Sequence, residues 1–277
     1  MKIDDFESLF RSAAKPVFEY QEVRLNRVVL VSDLEDPSAL LEAVEAFFRQ
    51  LDVATDHLAL VTLGASDWPD VATLLERIRD ISPELVLTHR LLRDDPSLHH
   101  SLGSVVDTLT QAIETPVLLL PERLEDLRPV QAVMVVTDHL TGDHRLVSWA
   151  VHLTPDSGRV VLAHIEEQPL LDHILEAIGR MQGVPTERTR EQLEEKLLER
   201  PSDYIRAVAV ELASRGIHER VVPVVRLGEP IAEYRKLAEE HGVGLLICNT
   251  KDPRQRAMEA LSHALAVELR DLPLLLL

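Results

Sequence analysis

Two acidic residues directly follow apolar runs that predict buried strands. Asp33 follows the run at 27–32, and Asp138 follows the run at 130–137. Open α/β sheets bind ligands beyond the carboxyl ends of their strands, where a carboxylate can accept hydrogen bonds from a ribose or a base amine. A loop acid that caps the next helix has the same local pattern. Asp33 and Asp138 are therefore candidate nucleotide contacts, and helix capping is an equally good interpretation.

A glycine and a serine, Gly103 and Ser104, stand near the start of a predicted helix over 101–114. Backbone N–H groups at the positive end of a helix bind phosphate, and a serine hydroxyl adds a donor. The same pair is more often a plain helix cap. Gly103 and Ser104 are thus candidate phosphate contacts on a pattern that capping also explains.

The twelve histidines raise the question of a metal site. Histidines are adjacent at 99–100, and aspartate–histidine pairs at 138–139 and 143–144 share one loop, but no spacing among them defines a coordination geometry. Solvated loop histidines are the better interpretation, so no metal is expected. The Gly-x-Ser-x-Gly, Gly-x-x-x-x-Gly-Lys and His-Glu-x-x-His patterns are absent, so no catalytic residue is predicted.

Apolar runs and helical periodicity predict alternating strands and helices on both sides of a polar linker between Pro121 and Pro129. The first half has strands at 27–32, 57–63, 84–88 and 116–120, and helices at 36–51, 69–80 and 101–114. The second half has strands at 130–137, 159–165, 220–225, 244–248 and 273–277, and helices at 144–153, 187–215, 231–241 and 257–270. The stretch 187–215 is expected to form one or two helices, with a break predicted at Pro201.

This alternation favours an α/β fold with two tandem, doubly wound and mostly parallel sheets. The halves are expected to be repeats, because Gly103 lies thirteen residues before Pro116 and Ala260 lies thirteen before Pro273. The predicted units are an N-terminal helical arm at 1–25, a first domain at 26–122 and a second domain at 129–277. The apolar stripe of the arm is expected to pack on the first domain, and a helix that binds a partner is the alternative.

Composition narrows the possible partners. The chain is 45% hydrophobic and 27% charged, which is ordinary for a globular protein. Its net charge of −18 repels nucleic-acid phosphates and anionic lipid, so neither nucleic acid nor membrane is expected as a partner. No secretory signal or spanning segment is evident, and the one cysteine, Cys248, lies in an apolar run. A cytoplasmic protein is expected.

The segment 225–249 carries the most specific pattern. A strand leads through Gly228-Glu229-Pro230 into a helix, and Gly242 then leads into an apolar strand. This order closely resembles the second half of universal stress protein domains, which belong with the adenine nucleotide α-hydrolase-like folds. The resemblance extends from about residue 26 to the end as two copies. The first looks abridged, because Trp68-Pro69 follows its second strand where the family has another helix and strand.

Nucleotide-binding members of this family carry Gly-x-x-Gly, nine residues, and then Gly with Ser or Thr. In the first copy the closing pair is Gly103-Ser104, but the two earlier glycines fall at Arg90 and Arg93. In the second copy no glycine remains, since the loop is 249–256 and the closing position is Ala260. Side chains thus replace the bare backbone that lets phosphate approach. A charge-based substitute would use loop cations, namely Arg90, Arg93, Lys251, Arg254 and Arg256.

The resemblance implies a non-enzymatic stress-response or regulatory protein, without a cofactor and with lost or weakened ATP binding, that acts through a regulatory protein partner. The alternative is a switch that binds ATP or AMP in the first copy through Asp33, Gly103 and Ser104. An enzyme of the wider α-hydrolase-like group is less favoured without a catalytic constellation. Because the family pairs domains through the last strand, the strands at 116–120 and 273–277 are expected to pair within the chain or to form a homodimer.

Overall fold

The computed structural model describes residues 18–51, 53, 57–94, 101–121, 123–136, 144–180, 186–216, 221–250 and 260–277. Its first half contains four strands, β1 (Arg27–Val31), β2 (Ala59–Leu63), β3 (Leu85–Thr88) and β4 (Val117–Leu119). Three helices lie between them, α1 (Ser38–Gln50), α2 (Val71–Ile81) and α3 (Ser104–Ala112). A single 3-10 turn, Leu124–Asp126, lies in the connection to the second half.

The second half contains five strands, β5 (Ala132–Val136), β6 (Arg159–Glu167), β7 (Val221–Gly228), β8 (Val243–Cys248) and β9 (Leu274–Leu276). Its described helices are α4 (His144–Leu153), α5 (Gln168–Gly179), α6 (Thr186–Ser214), α7 (Pro230–His241) and α8 (Ala260–Glu268). None of the helices in the described ranges is both long and apolar enough to cross a membrane.

The nine strands of the described residues form one sheet in the order β2-β1-β3-β4-β9-β8-β5-β6-β7. Neighbours run parallel except β4 and β9, which pair antiparallel through Val117↔Leu276, Leu118↔Leu275 and Leu119↔Leu274. The mostly parallel α/β fold is therefore confirmed, and the last strands of the two halves join inside the chain. The strand order reverses around β1 in the first half and around β5 in the second.

Side chains alternate across the sheet and build two apolar layers. Val29 and Val31 of β1 enter one layer, whereas Val28 and Leu30 enter the other. Helices α2, α3, α7 and α8 cover the first face, and α1, α4 and α6 cover the second. Both layers continue across β4 and β9, so each layer of the core contains residues from both halves.

Helix α6 continues through Pro201, where the sequence predicts a break. The residues after the proline bury one face against the sheet, namely Tyr204, Ile205, Val208 and Leu212. This apolar contact outweighs the backbone hydrogen bond that proline cannot donate. Helix α5 is not among the predicted elements, although Leu171 and Leu175, which it buries, have helical spacing.

The predicted arm differs from expectation where it is described. Residues 18–25 form neither helix nor strand, and residues 1–17 lie outside the described part. The Glu19 N–H donates to His144 Nδ1 (3.1 Å), and the Gln21 N–H donates to Ser148 Oγ (3.0 Å). Side chains of α4 thus satisfy this backbone, so these residues contact the second half and not only the first.

Candidate functional site

The crevice of the first half lies at the carboxyl ends of β1 and β3, where the strand order reverses. Asp33 follows β1, and the loop 89–94, called here the β3 loop, follows β3. His89 Nε2 lies 2.8 Å from Asp33 Oδ1, and both side chains are about one fifth exposed. The Arg93 N–H donates to Asp33 Oδ2 (2.6 Å). Both carboxylate oxygens of Asp33 therefore contact the β3 loop.

The N-terminus of α3 lies beside the β3 loop, and the carboxylate of Asp94 is hydrogen bonded to it. The Ser104 N–H donates to Asp94 Oδ2 (2.8 Å), and Ser104 Oγ lies 3.2 Å from both oxygens of that carboxylate. The first N–H groups of a helix have no partner within the helix, and an anion there is favoured by the helix dipole. Asp94 thus stands where an external anion would bind α3.

Gly103 precedes α3 and lies close to the β3 loop. Its φ is +93°, and a Cβ at this position would lie 2.7 Å from Asp94 Oδ2 and 3.0 Å from Leu91 Cα. Only glycine combines this backbone conformation with this approach. Glycine at this position is therefore explained by the positive φ and by the close approach of the β3 loop, whether or not a ligand binds.

The β3 loop holds an unusual conformation without glycine. Leu91 and Arg93 both have φ of +57°, a left-handed backbone that costs an L-residue about 1–2 kcal/mol. The guanidinium of Arg93 lies 3.6 Å above the buried ring of Trp68. It also donates to the carbonyls of Pro69 (2.9 Å) and Ala65 (2.6 Å). These contacts offset the backbone cost.

Arg90 begins the same loop and points toward the other half. Its side chain is buried, with 5% of the residue exposed, and it donates to the carbonyls of Ala266 and Leu269 (3.2 Å for the latter). Both arginines at the expected glycine positions are therefore hydrogen bonded to backbone carbonyls. The other loop cations proposed for an anion, Lys251, Arg254 and Arg256, lie outside the described residues.

Asp107 lies on α3, one turn beyond Ser104. Burial raises the pKa of its carboxyl, the nearby charge of His263 opposes that rise, and the charge of Asp94 adds to it. Asp107 Oδ1 and His263 Nε2, on α8, are 3.9 Å apart. This pair is a contact between helices of the two halves.

The second crevice is described only in part. Asp138 lies outside the described residues. After β8, the N–H and Oγ1 of Thr250 donate to the Leu277 backbone oxygen at 2.7 and 2.6 Å. Thr250 and Asn249 are buried, so this end of β8 is closed by the backbone after β9.

Two further polar pairs lie near the carboxyl ends of β6 and β7. His164 is buried, with Nε2 3.1 Å from Glu166 Oε1, and Arg226 Nη2 lies 2.6 Å from Glu233 Oε2. Neither pair is predicted from the sequence, because no motif surrounds them. Across the described ranges, no group of three or more His, Cys, Asp or Glu residues could hold a metal ion.

The structure brings three predicted residues into one crevice. Asp33 contacts the β3 loop through Arg93 N, and Gly103 and Ser104 contact it through Asp94. Asp94 itself is not predicted. Its position next to Arg93, ten residues before Ser104, has no local signature, because the turn that brings it onto α3 depends on the fold.

Comparison with known protein families assigns the chain to one of them. The model of the Universal stress protein family matches residues 129–267, just over half of the 277 residues. The chain belongs to the universal stress protein family. The resemblance inferred from the sequence is thereby confirmed at the level of the family. The matched region contains β5 to β8, four of the five strands of the second half, and β5 and β8 flank the point of strand-order reversal.

Solved structures share the fold. A functionally unknown protein from Pseudomonas aeruginosa PAO1 aligns with 14% identity and a TM-score of 0.50, covering 91% of this chain and 81% of that one. A putative universal stress protein from Pseudomonas aeruginosa UCBPP-PA14 aligns with 15% identity, a TM-score of 0.51 and the same coverage. A universal stress protein from Archaeoglobus fulgidus DSM 4304 aligns with 12% identity and a TM-score of 0.51, covering 90% and 84%. No curated protein matches the chain.

Proposed function

We propose that this chain is a non-enzymatic stress-response or regulatory protein of the universal stress type in which ATP binding by the first half is lost or weakened. The observation that carries the proposal is the carboxylate of Asp94, hydrogen bonded to Ser104 N and Oγ at the start of α3. A phosphate on α3 needs those same donors. The internal carboxylate therefore competes with any nucleotide at the phosphate end of the crevice.

Electrostatics strengthens the competition. Two like unit charges about 4 Å apart repel by about 4 kcal/mol at an effective dielectric constant near 20. A phosphate approaching Ser104 has to displace Asp94 or accept repulsion of this order. The guanidinium of Arg93 already has partners, namely the ring of Trp68 and two backbone carbonyls, and a hydrogen bond from it to a phosphate would replace some of these contacts.

The ribose end of the crevice supports the same proposal. Asp33 accepts from the Arg93 N–H and contacts His89, so a ribose hydroxyl would share or replace these contacts. Side chains and backbone of the protein itself therefore occupy the hydrogen-bonding groups at both ends of the crevice. These internal contacts stabilise the fold, and a nucleotide would have to replace them in order to bind. A regulatory protein of this kind acts through a protein partner.

A nucleotide-binding switch is the second candidate. It is favoured by the grouping of Asp33, Gly103 and Ser104 around one crevice. In that case ATP or AMP displaces Asp94 from α3, and the β3 loop changes conformation when the nucleotide binds.

Isothermal titration calorimetry with ATP and AMP separates the two candidates. We expect no binding in the sub-millimolar range to the unmodified protein. Binding in that range that is abolished by Gly103→Arg and retained by Gly216→Arg contradicts the proposal. Gly216 is the matched control, because its φ is also positive (+78°) but nothing described lies within 4 Å of a Cβ there.

Catalysis is tested separately by following ADP release from ATP with the purified protein. We expect no turnover above buffer. Turnover that disappears in Asp33→Asn contradicts the proposal that the protein is not an enzyme. A stress or regulatory function would then have to be tested separately, by binding of a protein partner.

A further inference from the structure

The β3 loop contacts both halves of the protein. We propose that it is a latch that couples the first crevice to the end of α8 in the second half. Its far contact is made by Arg90, and its near contacts are made by His89, Arg93 and Asp94. The coupling does not depend on whether a nucleotide binds.

The far contact joins the guanidinium of Arg90 to backbone carbonyls at the end of α8. The last carbonyls of a helix have no partner within the helix, and a cation at that end is favoured by the helix dipole. Arg90 supplies donors to the carbonyl of Ala266, in the last turn of α8, and to that of Leu269, just beyond it. A buried guanidinium in turn requires hydrogen-bond acceptors. Loss of this contact therefore leaves polar groups of both halves without their partner.

The near contacts fix the position of Arg90. Three residues after it, the Arg93 N–H is bonded to Asp33, and the next residue, Asp94, is bonded to Ser104. Within the loop, the Leu91 N–H donates to the Leu102 carbonyl (3.0 Å). A loop anchored at so many points transmits a displacement at Asp33 to Arg90.

Other contacts between the halves do not pass through the loop. The antiparallel pair β4–β9 and the contact of Asp107 with His263 hold the halves together independently. The latch can therefore open while the sheet stays intact. This makes the coupling measurable in the folded protein.

Native-state hydrogen exchange at the amides of Leu269 and Leu272 reports the opening of the α8 end. These N–H groups donate to the carbonyls of Leu265 and Leu269. We expect Arg90→Met to accelerate their exchange by about tenfold or more. Arg235→Met is the matched control, because Arg235 donates to the Glu268 carbonyl (3.0 Å) from α7 of the same half and its side chain is about half exposed. We expect less than about threefold acceleration for this control.

The coupling itself is tested by a change confined to the first half. We expect Asp33→Asn to accelerate exchange at Leu269 by about tenfold, although Asp33 touches no residue of α8 among the contacts described. The control is Asp36→Asn, which weakens the hydrogen bonds that Asp36 accepts from Ser38 at the start of α1. No contact described joins Asp36 to the β3 loop. No acceleration at Leu269 in Asp33→Asn overturns the latch. Equal acceleration in Asp36→Asn also overturns it, because the effect is then a general loss of stability. If Arg90→Met does not fold, the Asp33 arm still decides.

Discussion

Replacing Gly103 by alanine tests whether Asp94 is the group that requires a glycine before α3. The added Cβ meets two obstacles, a backbone conformation with φ of +93° and an Asp94 oxygen 2.7 Å away. The conformation costs about 1–3 kcal/mol in a residue other than glycine. Displacing Asp94 from Ser104 removes a helix cap, which costs about 1 kcal/mol. We therefore expect Gly103→Ala to lower the free energy of unfolding by about 2–4 kcal/mol.

A double-mutant cycle with Asp94→Ala isolates the second obstacle. Once the carboxylate is absent, Gly103→Ala should cost about 1 kcal/mol less than in the unmodified protein. Urea denaturation followed by tryptophan fluorescence measures all four proteins, because Trp68 is stacked under Arg93 of the β3 loop. Gly216→Ala gives the cost of a positive φ in open space, about 1 kcal/mol. An equal cost of Gly103→Ala with and without Asp94 would refute the assignment of Asp94 to this contact.

Three further measurements test other parts of the structure. Burial raises the pKa of Asp107 above its ordinary value of 3.8, so the folded protein holds that proton more tightly and stability falls as pH rises from 3.8 toward the raised value. Asp107→Asn should therefore raise the free energy of unfolding at neutral pH, and this gain should disappear below pH 3.8. Urea titrations at neutral pH and below pH 3.8 measure the difference. An equal gain at the two pH values would contradict burial of the Asp107 carboxylate as the cause. In the same titrations, Arg93→Gly should be about 1 kcal/mol more stable than Arg93→Ala. Both variants lose the arginine side chain, but only glycine adopts φ of +57° without strain. Equal stabilities of the two variants would contradict backbone strain at this position. Light scattering should show a monomer, because β4 and β9 each have a neighbouring strand on both sides within the chain. If the protein is instead a dimer, and Leu118→Lys or Leu275→Lys converts it to a monomer, these strands pair between two chains.

The local sequence pattern was sufficient to predict most helices and strands of the fold. Apolar runs and helical spacing predict each of the nine strands in the described ranges, because a strand buried on both faces must be apolar throughout and a helix must repeat at its own period. The same patterns place Asp33 and Gly103 near one crevice, because the carboxyl ends of strands around a reversal point meet. Pro201 shows the limit of such reasoning, since burial against the sheet overrides a local preference.

The partners of the polar side chains were decided by the tertiary structure. Asp94 bonds to Ser104 ten residues away through a loop with two left-handed residues, and Arg90 bonds to Ala266 at a separation of 176 residues. The sequence left open whether the last strands pair within the chain, which β4 and β9 do here. A hydrogen bond depends on distances of a few ångströms between groups that folding brings together, whereas a sequence pattern records only the period and polarity of one element. The sequence by itself therefore predicts where the crevice lies, and only the packed chain determines that its own carboxylate occupies it.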